Sequence, residues 1–379
     1  MNNVAGQAVD LPIWGTGARQ ARPARPPFLD FFAGSGLVST ALRSCFDLVW
    51  ANDVCAKKAT IFRANHPDIP LIERSIVTIS GAEVPRAALA WASFPCQDLS
   101  LAGPAKGIRA SRSGLVWEWL RVMDGMAARP PLVVAENVVG LLSSNEGRHY
   151  RELHEALVQR GYRVGAIVLD AVRFLPQSRP RVFVVGIAAH TPIPQALLDD
   201  GPNWLHSSAV VRVARQLKDF VWWRMPQPRE RKTTLSDLVD RSLPCHAPAT
   251  CEKNLALLPE FHRRRLDASE LDVAPGYRRI RNGQQVLELR FDDVSGCLRT
   301  LVGGSSRQLL LVRSNGSWKT RFLSAAEAAR LMGAPLRFKL PVCETDAYRA
   351  MGDAVAVPVV AYLAKNLLSK ILTGCHGFV

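Results

Sequence analysis

No run of about 18 apolar residues occurs in this 379-residue chain, so nothing in it reads as a membrane-spanning helix. The N-terminus, MNNVAGQAVDLPIWGTGARQARPARPP, lacks the basic start and apolar stretch of a signal peptide; residues 1–27 read as a loose arm, and the cytosol is the expected compartment. The eight cysteines, at 45, 55, 96, 245, 251, 297, 343 and 375, include no CxxC pair, which argues against a disulfide framework and a zinc ribbon. Cys245, His246 and Cys251 lie close together at a spacing that fits no common zinc pattern; ordinary loop packing is expected there, and no metal. A GxxxxGK[ST] phosphate loop is absent as well. Acidic residues are outnumbered, 33 against 48 Lys and Arg, and the net charge of +15 favours a polyanionic partner, nucleic acid first. An apolar fraction of 48% can support a real core in one large domain or two ordinary ones.

From Phe28 to Ile187 short apolar runs alternate with helical periodicity. Strands are expected at 28–32, 48–52, 89–93, 131–135, 164–169 and 181–187, and helices at 37–45, 56–65, 114–128 and 150–160. Such alternation predicts an α/β fold with a doubly wound, mostly parallel sheet. The last two strands are joined by a short link with little helical pattern, so that pair is expected to be antiparallel. Past His190 the rhythm breaks into Pro-, Gly- and Arg-rich sequence with short apolar stretches such as QQVLELRF and RQLLLV, which predicts a smaller, irregular second domain. Residues 190–320 carry 20 Lys and Arg against 14 Asp and Glu, too small an excess to mark a nucleic-acid face by charge alone. Regular structure returns in SAAEAARLMGAP, with a capping box from Ser324 to Glu327 and Gly333 placed to end the helix. Further on, AVPVVAYLAKNLLSKIL puts Val359, Val360, Leu363, Leu367, Leu368 and Ile371 on one helix face, which predicts a return to the first domain.

FLDFFAGSGL, 28–37, reads as a strand entering a glycine turn and a helix, and Asp53 ends the next strand about twenty residues on. Glycine lets the backbone turn tightly and approach a ligand, while an acid so placed can accept hydrogen bonds from ribose hydroxyls. A dinucleotide site would want a third glycine where Ser39 stands, so an adenosine ligand without a pyrophosphate fits better. In WASFPCQDLS, Cys96 follows an apolar run at the strand end where ligands of such sheets sit, and a thiol becomes nucleophilic there as thiolate. Glu136 and Asn137 end another apolar run, in PPLVVAENVVGLL, where a carboxylate is costly unless paired or used. In FLPQSRPRVFVVGI, alternation sends Gln177, Arg179 and Arg181 to one side of an extended segment.

DFFAGSG, the acid of WAND, FPCQ, ENV, QSRPR, the RLMG helix and MGDAVAVP occur in one order along the chain. In these landmarks the sequence resembles the cytosine-C5 DNA methyltransferases of bacterial type, from about Phe28 to Leu372. The resemblance implies a Rossmann-like methyltransferase sheet formed by 28–189 and 345–375, with a target-recognition domain at 190–344. It implies S-adenosylmethionine as methyl donor, S-adenosylhomocysteine as product, double-stranded DNA as partner, a monomer, and possible company of a restriction endonuclease.

By the same resemblance Cys96 attacks carbon 6 of a flipped cytosine, Glu136 holds or protonates ring nitrogen 3, and Arg179 stabilises developing charge and holds the base. Pro95, Asn137, Gln177 and Arg181 stand beside them. Cofactor contacts fall to Asp30, Phe32, Ala33, Gly34, Ser35, Gly36, Asp53, Val54, Ser75, Ile76, Phe94, Asp353, Ala354 and Val355; Phe32 lies against the adenine, Gly34 to Gly36 line the methionine portion, and Asp53 takes the ribose hydroxyls. DNA contacts fall to Gln97, Ser100, Thr300, Gly303 and Gly304. Two positions depart from the family pattern. Ser75 stands where an Asp often contacts the adenine amino group, and Asp353 replaces the Asn of GNxV, where an acid pairs with the methionine ammonium yet repels its carboxylate. An RNA cytosine methyltransferase, a catalytically silent DNA-binding relative and a nicotinamide oxidoreductase are the rival readings.

Overall fold

The computed structural model describes residues 25–95, 114–298 and 307–373. Its main sheet has seven strands: β1 (Pro27–Phe31), β2 (Asp47–Asn52), β3 (Leu71–Ile72), β4 (Leu89–Ser93), β5 (Leu132–Val138), β6 (Tyr162–Asp170) and β7 (Pro180–Ala188). Their order is β3-β2-β1-β4-β5-β7-β6, parallel except for β7, which runs antiparallel to both neighbours. The antiparallel β6–β7 pair agrees with the shortness of its connection. Two-residue β3 escaped the sequence reading because it has no periodicity of its own.

The strands are apolar on both sides because both faces are covered. One face carries Phe28, Trp91, Val134 and Phe183 against helix α1 (Leu37–Leu42) and the C-terminal helices; the other carries Leu29, Phe31, Ala90 and Val133 against helix α3 (Leu115–Asp124) and the helix Arg148–Val158. Helix α2 (Ala56–Asn65) lies between β2 and β3 in chain order, and its Phe62 packs with Ala33 and Ala51.

Glu344–Thr373 is long and apolar enough, by composition, to cross a membrane. Val359, Val360, Leu363, Leu367, Leu368 and Ile371 are nonetheless buried in the core of the main sheet, where that apolar face was expected to go. Pro358 sits in the first turn of Val357–Leu363.

The middle of the chain is more regular than its sequence suggests. β8 (Val273–Arg281), β9 (Gln284–Leu289), β10 (Leu309–Ser314) and β11 (Ser317–Phe322) form an antiparallel sheet in the order β11-β10-β8-β9. β8 was hidden by Pro275, Gly276 and its arginines, while β9 and β10 fall on the apolar stretches QQVLELRF and RQLLLV. Leu197, Leu205, Trp223 and Leu235 belong to the main core, so the chain up to about Val239 packs on the seven-stranded sheet. The capping box at Ser324 forms as read, and Gly333 follows its helix with φ of +70°. Glu327 of that box also makes a bidentate pair with buried Arg321 of β11, at 2.5 and 2.8 Å, tying the small sheet to the returning segment.

Candidate active site

Strand register brings distant residues to one edge of the main sheet. Parallel pairing sets Phe31 beside Asn52 and Ala92, and Ser93 beside Glu136. Antiparallel pairing then sets Val138 opposite Arg181, at the start of β7. The glycine turn, Asp53, Phe94–Pro95, Glu136–Asn137 and the 177–181 segment therefore share the carboxyl edge of the parallel strands, where such sheets bind ligands.

At the turn, Phe32 has φ of 58°, Gly34 of 57° and Gly36 of 84°. A Cβ on Gly36 would come within 2.7 Å of the His66 ring and 2.9 Å of Phe62, so glycine is needed for close packing against α2 as well as for its backbone angle. Asp53 organises the turn: its Oδ2 accepts from the Gly34 N–H and its Oδ1 from the Cys55 N–H, both at 2.8 Å. Beneath it, Asp30 is fully buried and accepts a hydrogen bond from the Ser39 hydroxyl at 2.5 Å. Burial pushes the Asp30 pKa up to about 7, Ser39 opposes the shift, and the charge of Asp53 adds to it. Asn52 donates to the carbonyls of Ile72 and Arg74, at 2.8 and 2.7 Å, and so positions the entry to Ser75 and buried Ile76. Val54 is two-thirds exposed, at 67%, whereas Ala33 and Phe94 are buried.

Glu136 is buried on the sheet edge and raised above the ordinary carboxylate range by desolvation. Arg181, Arg179 and a hydrogen bond from Ser93 oppose that shift. Arg181 Nε lies 3.1 Å from Glu136 Oε1. Ser93 in turn accepts from the indole N–H of Trp91 at 3.0 Å. Next along β5, Asn137 donates to the Phe94 carbonyl at 3.1 Å and pins the Phe94–Pro95 segment to the end of the strand. Cys96, Gln97 and Ser100 lie outside the described residues, as do Thr300, Gly303 and Gly304.

Arg179 is placed differently from the base-holding position implied for it. Its Nη2 donates to the carbonyls of Gly352 (2.8 Å) and Ala354 (2.6 Å), and its Nη1 to that of Leu298 (3.1 Å). It thereby fastens the 352–354 segment, and Val355 is buried behind it. Gln177 serves the same junction, donating to the Leu331 carbonyl at 2.5 Å. β7 begins at Pro180, so the alternation read through QSRPR does not reach Arg179, and of the two arginines it is Arg181 that pairs with Glu136.

Three residues that sequence reasoning missed belong to this edge: Ser93, Trp91 and Lys58. Lys58 of α2 bridges to Asp353 at 2.6 Å, and a Cβ on Gly34 would lie 3.9 Å from its stem. Nothing local in the sequence pairs Lys58 with a residue almost three hundred positions away. The arginine runs at 263–265 and 278–281 are engaged within the chain: Arg264 with Glu260, Arg279 and Arg281 with Glu288, Arg278 with Asn254, Arg265 over Phe291, and Arg263 on the Leu255 carbonyl. Cys251 and His246 are bonded to Thr320, and no group of three metal-ligating side chains occurs among the described residues.

The fold is that of the methyltransferases. It matches the solved structure of the S. pombe Dnmt2 methyltransferase at a TM-score of 0.60 and 18% identity, covering 93% of this chain and 100% of that one. The Entamoeba histolytica methyltransferase EhMeth matches at 0.63 and 13%, covering 92% and 98%. In sequence, the Type II methyltransferase M.NlaX of Neisseria lactamica is 27% identical over 347 residues, spanning 90% of this chain and 96% of the relative. M.HhaI of Haemophilus parahaemolyticus is 24% identical over 347 residues, spanning 91% and 94%. The family of C-5 cytosine-specific DNA methylases matches residues 27–369, and the chain belongs to it: its reaction is methylation of cytosine in DNA at carbon 5.

Proposed function

We propose that the methyl group comes from S-adenosylmethionine and reaches a cytosine flipped out of duplex DNA through a covalent adduct with Cys96. The observation that carries this reading is the setting of Glu136: a buried carboxylate with a raised pKa, next to the strand whose end leads into Phe94, Pro95 and the thiol.

Cytosine is a poor nucleophile at carbon 5. Addition of the Cys96 thiolate to carbon 6 forms a sulfur–carbon bond and moves the ring electrons toward carbon 5 and nitrogen 3. A protonated Glu136 supplies a hydrogen bond or proton at nitrogen 3, and burial favours that form. Arg181, paired with Glu136, takes the base-holding role, while Arg179 holds the 352–354 segment. Loss of the carbon 5 proton after methylation returns its electron pair to the ring and expels the thiolate, leaving 5-methylcytosine and S-adenosylhomocysteine.

The residues present fit the cofactor. Ser35 Oγ and Asp30 Oδ1 are buried at the glycine turn without hydrogen-bond partners, and Asp53 and the Lys58–Asp353 pair stand at its rim. When bound, the cofactor supplies an electrophilic methyl on a sulfonium. Phe32 and Ile76 would flank its adenine, with Ser75 nearby, and Asp53 would accept from its ribose. Residues 28–189 and 345–375, with 190–239 packed against them, form the proposed catalytic unit, and the antiparallel sheet from Val273 to Phe322 supports a target-recognition unit in the segment that follows. The Type II names of the relatives support a modification role beside a companion endonuclease.

Incubation with S-adenosylmethionine and duplex DNA containing 5-fluorocytosine tests the reading, because fluorine blocks the final elimination. A denaturation-resistant adduct with the wild type, absent in Cys96→Ser, is the expected result. Adducts on RNA alone would reassign the substrate, and no adduct on either would remove the covalent route.

A further inference from the structure

We propose that Lys58 and Asp353 form a two-charge clamp for the amino-acid end of the cofactor, Lys58 taking its carboxylate and Asp353 its ammonium. The inference rests on S-adenosylmethionine being the methyl donor and assigns a recognition residue, Lys58, that none of the sequence landmarks contains.

An acid at position 353 poses a charge problem. Amino acids are zwitterions, so an Asp that attracts the ammonium also repels the neighbouring carboxylate. Lys58 answers it with an opposite charge 2.6 Å from the Asp353 carboxylate. The two are delivered by independent parts of the fold. Helix α2 carries Lys58 one turn beyond Cys55, whose N–H is held by Asp53, so the residue placed for the ribose and the residue placed for the carboxylate are set by one helix start. Asp353 is bracketed by the Gly352 and Ala354 carbonyls, both held by the buried Arg179 guanidinium. The pair also stands against the glycine turn: the Lys58 stem lies 3.9 Å from where a Gly34 side chain would begin, and Asp53 contributes to the field at its ammonium.

Neither charge is sealed off, since 26% of the Lys58 side chain and 38% of that of Asp353 remain exposed. Partly exposed pairs hold together weakly, so a zwitterion can insert and exchange one ion pair for two.

Calorimetric titration of the full chain with two probes tests the clamp. S-adenosylhomocysteine carries the whole amino-acid end; 5′-methylthioadenosine keeps the adenosine and sulfur but ends in a methyl. Lys58→Met preserves most of the aliphatic stem and removes the charge. It is expected to weaken S-adenosylhomocysteine about tenfold, the worth of one charged hydrogen bond, and to leave 5′-methylthioadenosine within about twofold. Adding Asp353→Asn should recover part of that loss, because an amide donates to the carboxylate, accepts from the ammonium and repels neither. Equal weakening of both probes, no weakening, or a double variant as weak as Lys58→Met would overturn the clamp. Wild-type protein that binds neither probe would overturn the cofactor assignment as well, an outcome distinct from the other three.

Discussion

Arg181 reaches Glu136 across the β5–β7 pair, Nε to Oε1 at 3.1 Å, with both side chains largely buried. Glu136 faces Phe183 in the register, and Arg181 lies two residues before Phe183, so the two side chains leave the sheet on one face as diagonal neighbours. Desolvation favours the neutral acid and the guanidinium favours the carboxylate; desolvation wins, and Glu136 sits above its ordinary range.

Removing the guanidinium should move that balance further. In Arg181→Met the Glu136 pKa rises, the protonated form persists to higher pH, and the alkaline limb of the pH–rate profile shifts upward. The maximal rate of methyl transfer should fall roughly a hundredfold through loss of a charged contact to the base. Single-turnover methyl incorporation across a pH series reads both effects, and an unmoved limb would show that Arg181 does not govern Glu136.

Ser93 acts on the same carboxylate from the other side, with its hydroxyl set by the Trp91 indole. Ser93→Ala removes one hydrogen bond that favours the ionised form, so its limb should move in the same direction as that of Arg181→Met. The rate should fall by about three- to tenfold, in keeping with a contact worth about 1 kcal/mol. A rate loss with no change in pH profile would make Ser93 a packing residue alone.

Asp30 makes folding itself pH-dependent. Its folded pKa of about 7 lies above the ordinary 3.8, so between those values the folded state holds a proton that the unfolded chain releases. The sign follows: the contribution to stability is fully present below about pH 4, declines as pH rises to about 7, and is level beyond, the whole change being at most about 4 kcal/mol. Asp30→Asn should flatten that part of a urea-denaturation series. Identical pH dependence in wild type and variant would refute it.

The Arg321–Glu327 pair joins the small sheet to the returning helix. Burial pushes the Glu327 carboxyl up, but the hydrogen bonds from Arg321 and from the Ser324 and Asp240 N–H groups bring it below the ordinary value. Arg321→Met leaves a buried carboxylate without its main partner and should cost about 3 kcal/mol in urea denaturation. A loss under about 1 kcal/mol would mean the junction does not depend on the pair.

Much of the fold was legible because the residues that build it are neighbours in the chain. The six longer strands of the main sheet are apolar on both faces, and helix 56–65 falls on the residues read for it. The capping box from Ser324 to Glu327 is a local pattern and formed as read. β8 was not legible, since Pro275, Gly276 and three arginines break its alternation, and only pairing with β9 and β10 on either side makes it a strand.

What the sequence determined by itself was the set of chemical groups: a thiol after a strand, an acid in ENV, a glycine turn followed by an acid, in the order of one family. Tertiary structure decided which groups act on which. Arg181 rather than Arg179 pairs with Glu136 because the β5–β7 register sets Glu136 opposite Phe183, two residues from Arg181 and four from Arg179, and Lys58 meets Asp353 because α2 and the returning segment converge beside Gly34. The physical reason is range: side-chain periodicity is a property of a few consecutive residues, whereas an ion pair between segments hundreds of residues apart exists only once the sheet has set their register.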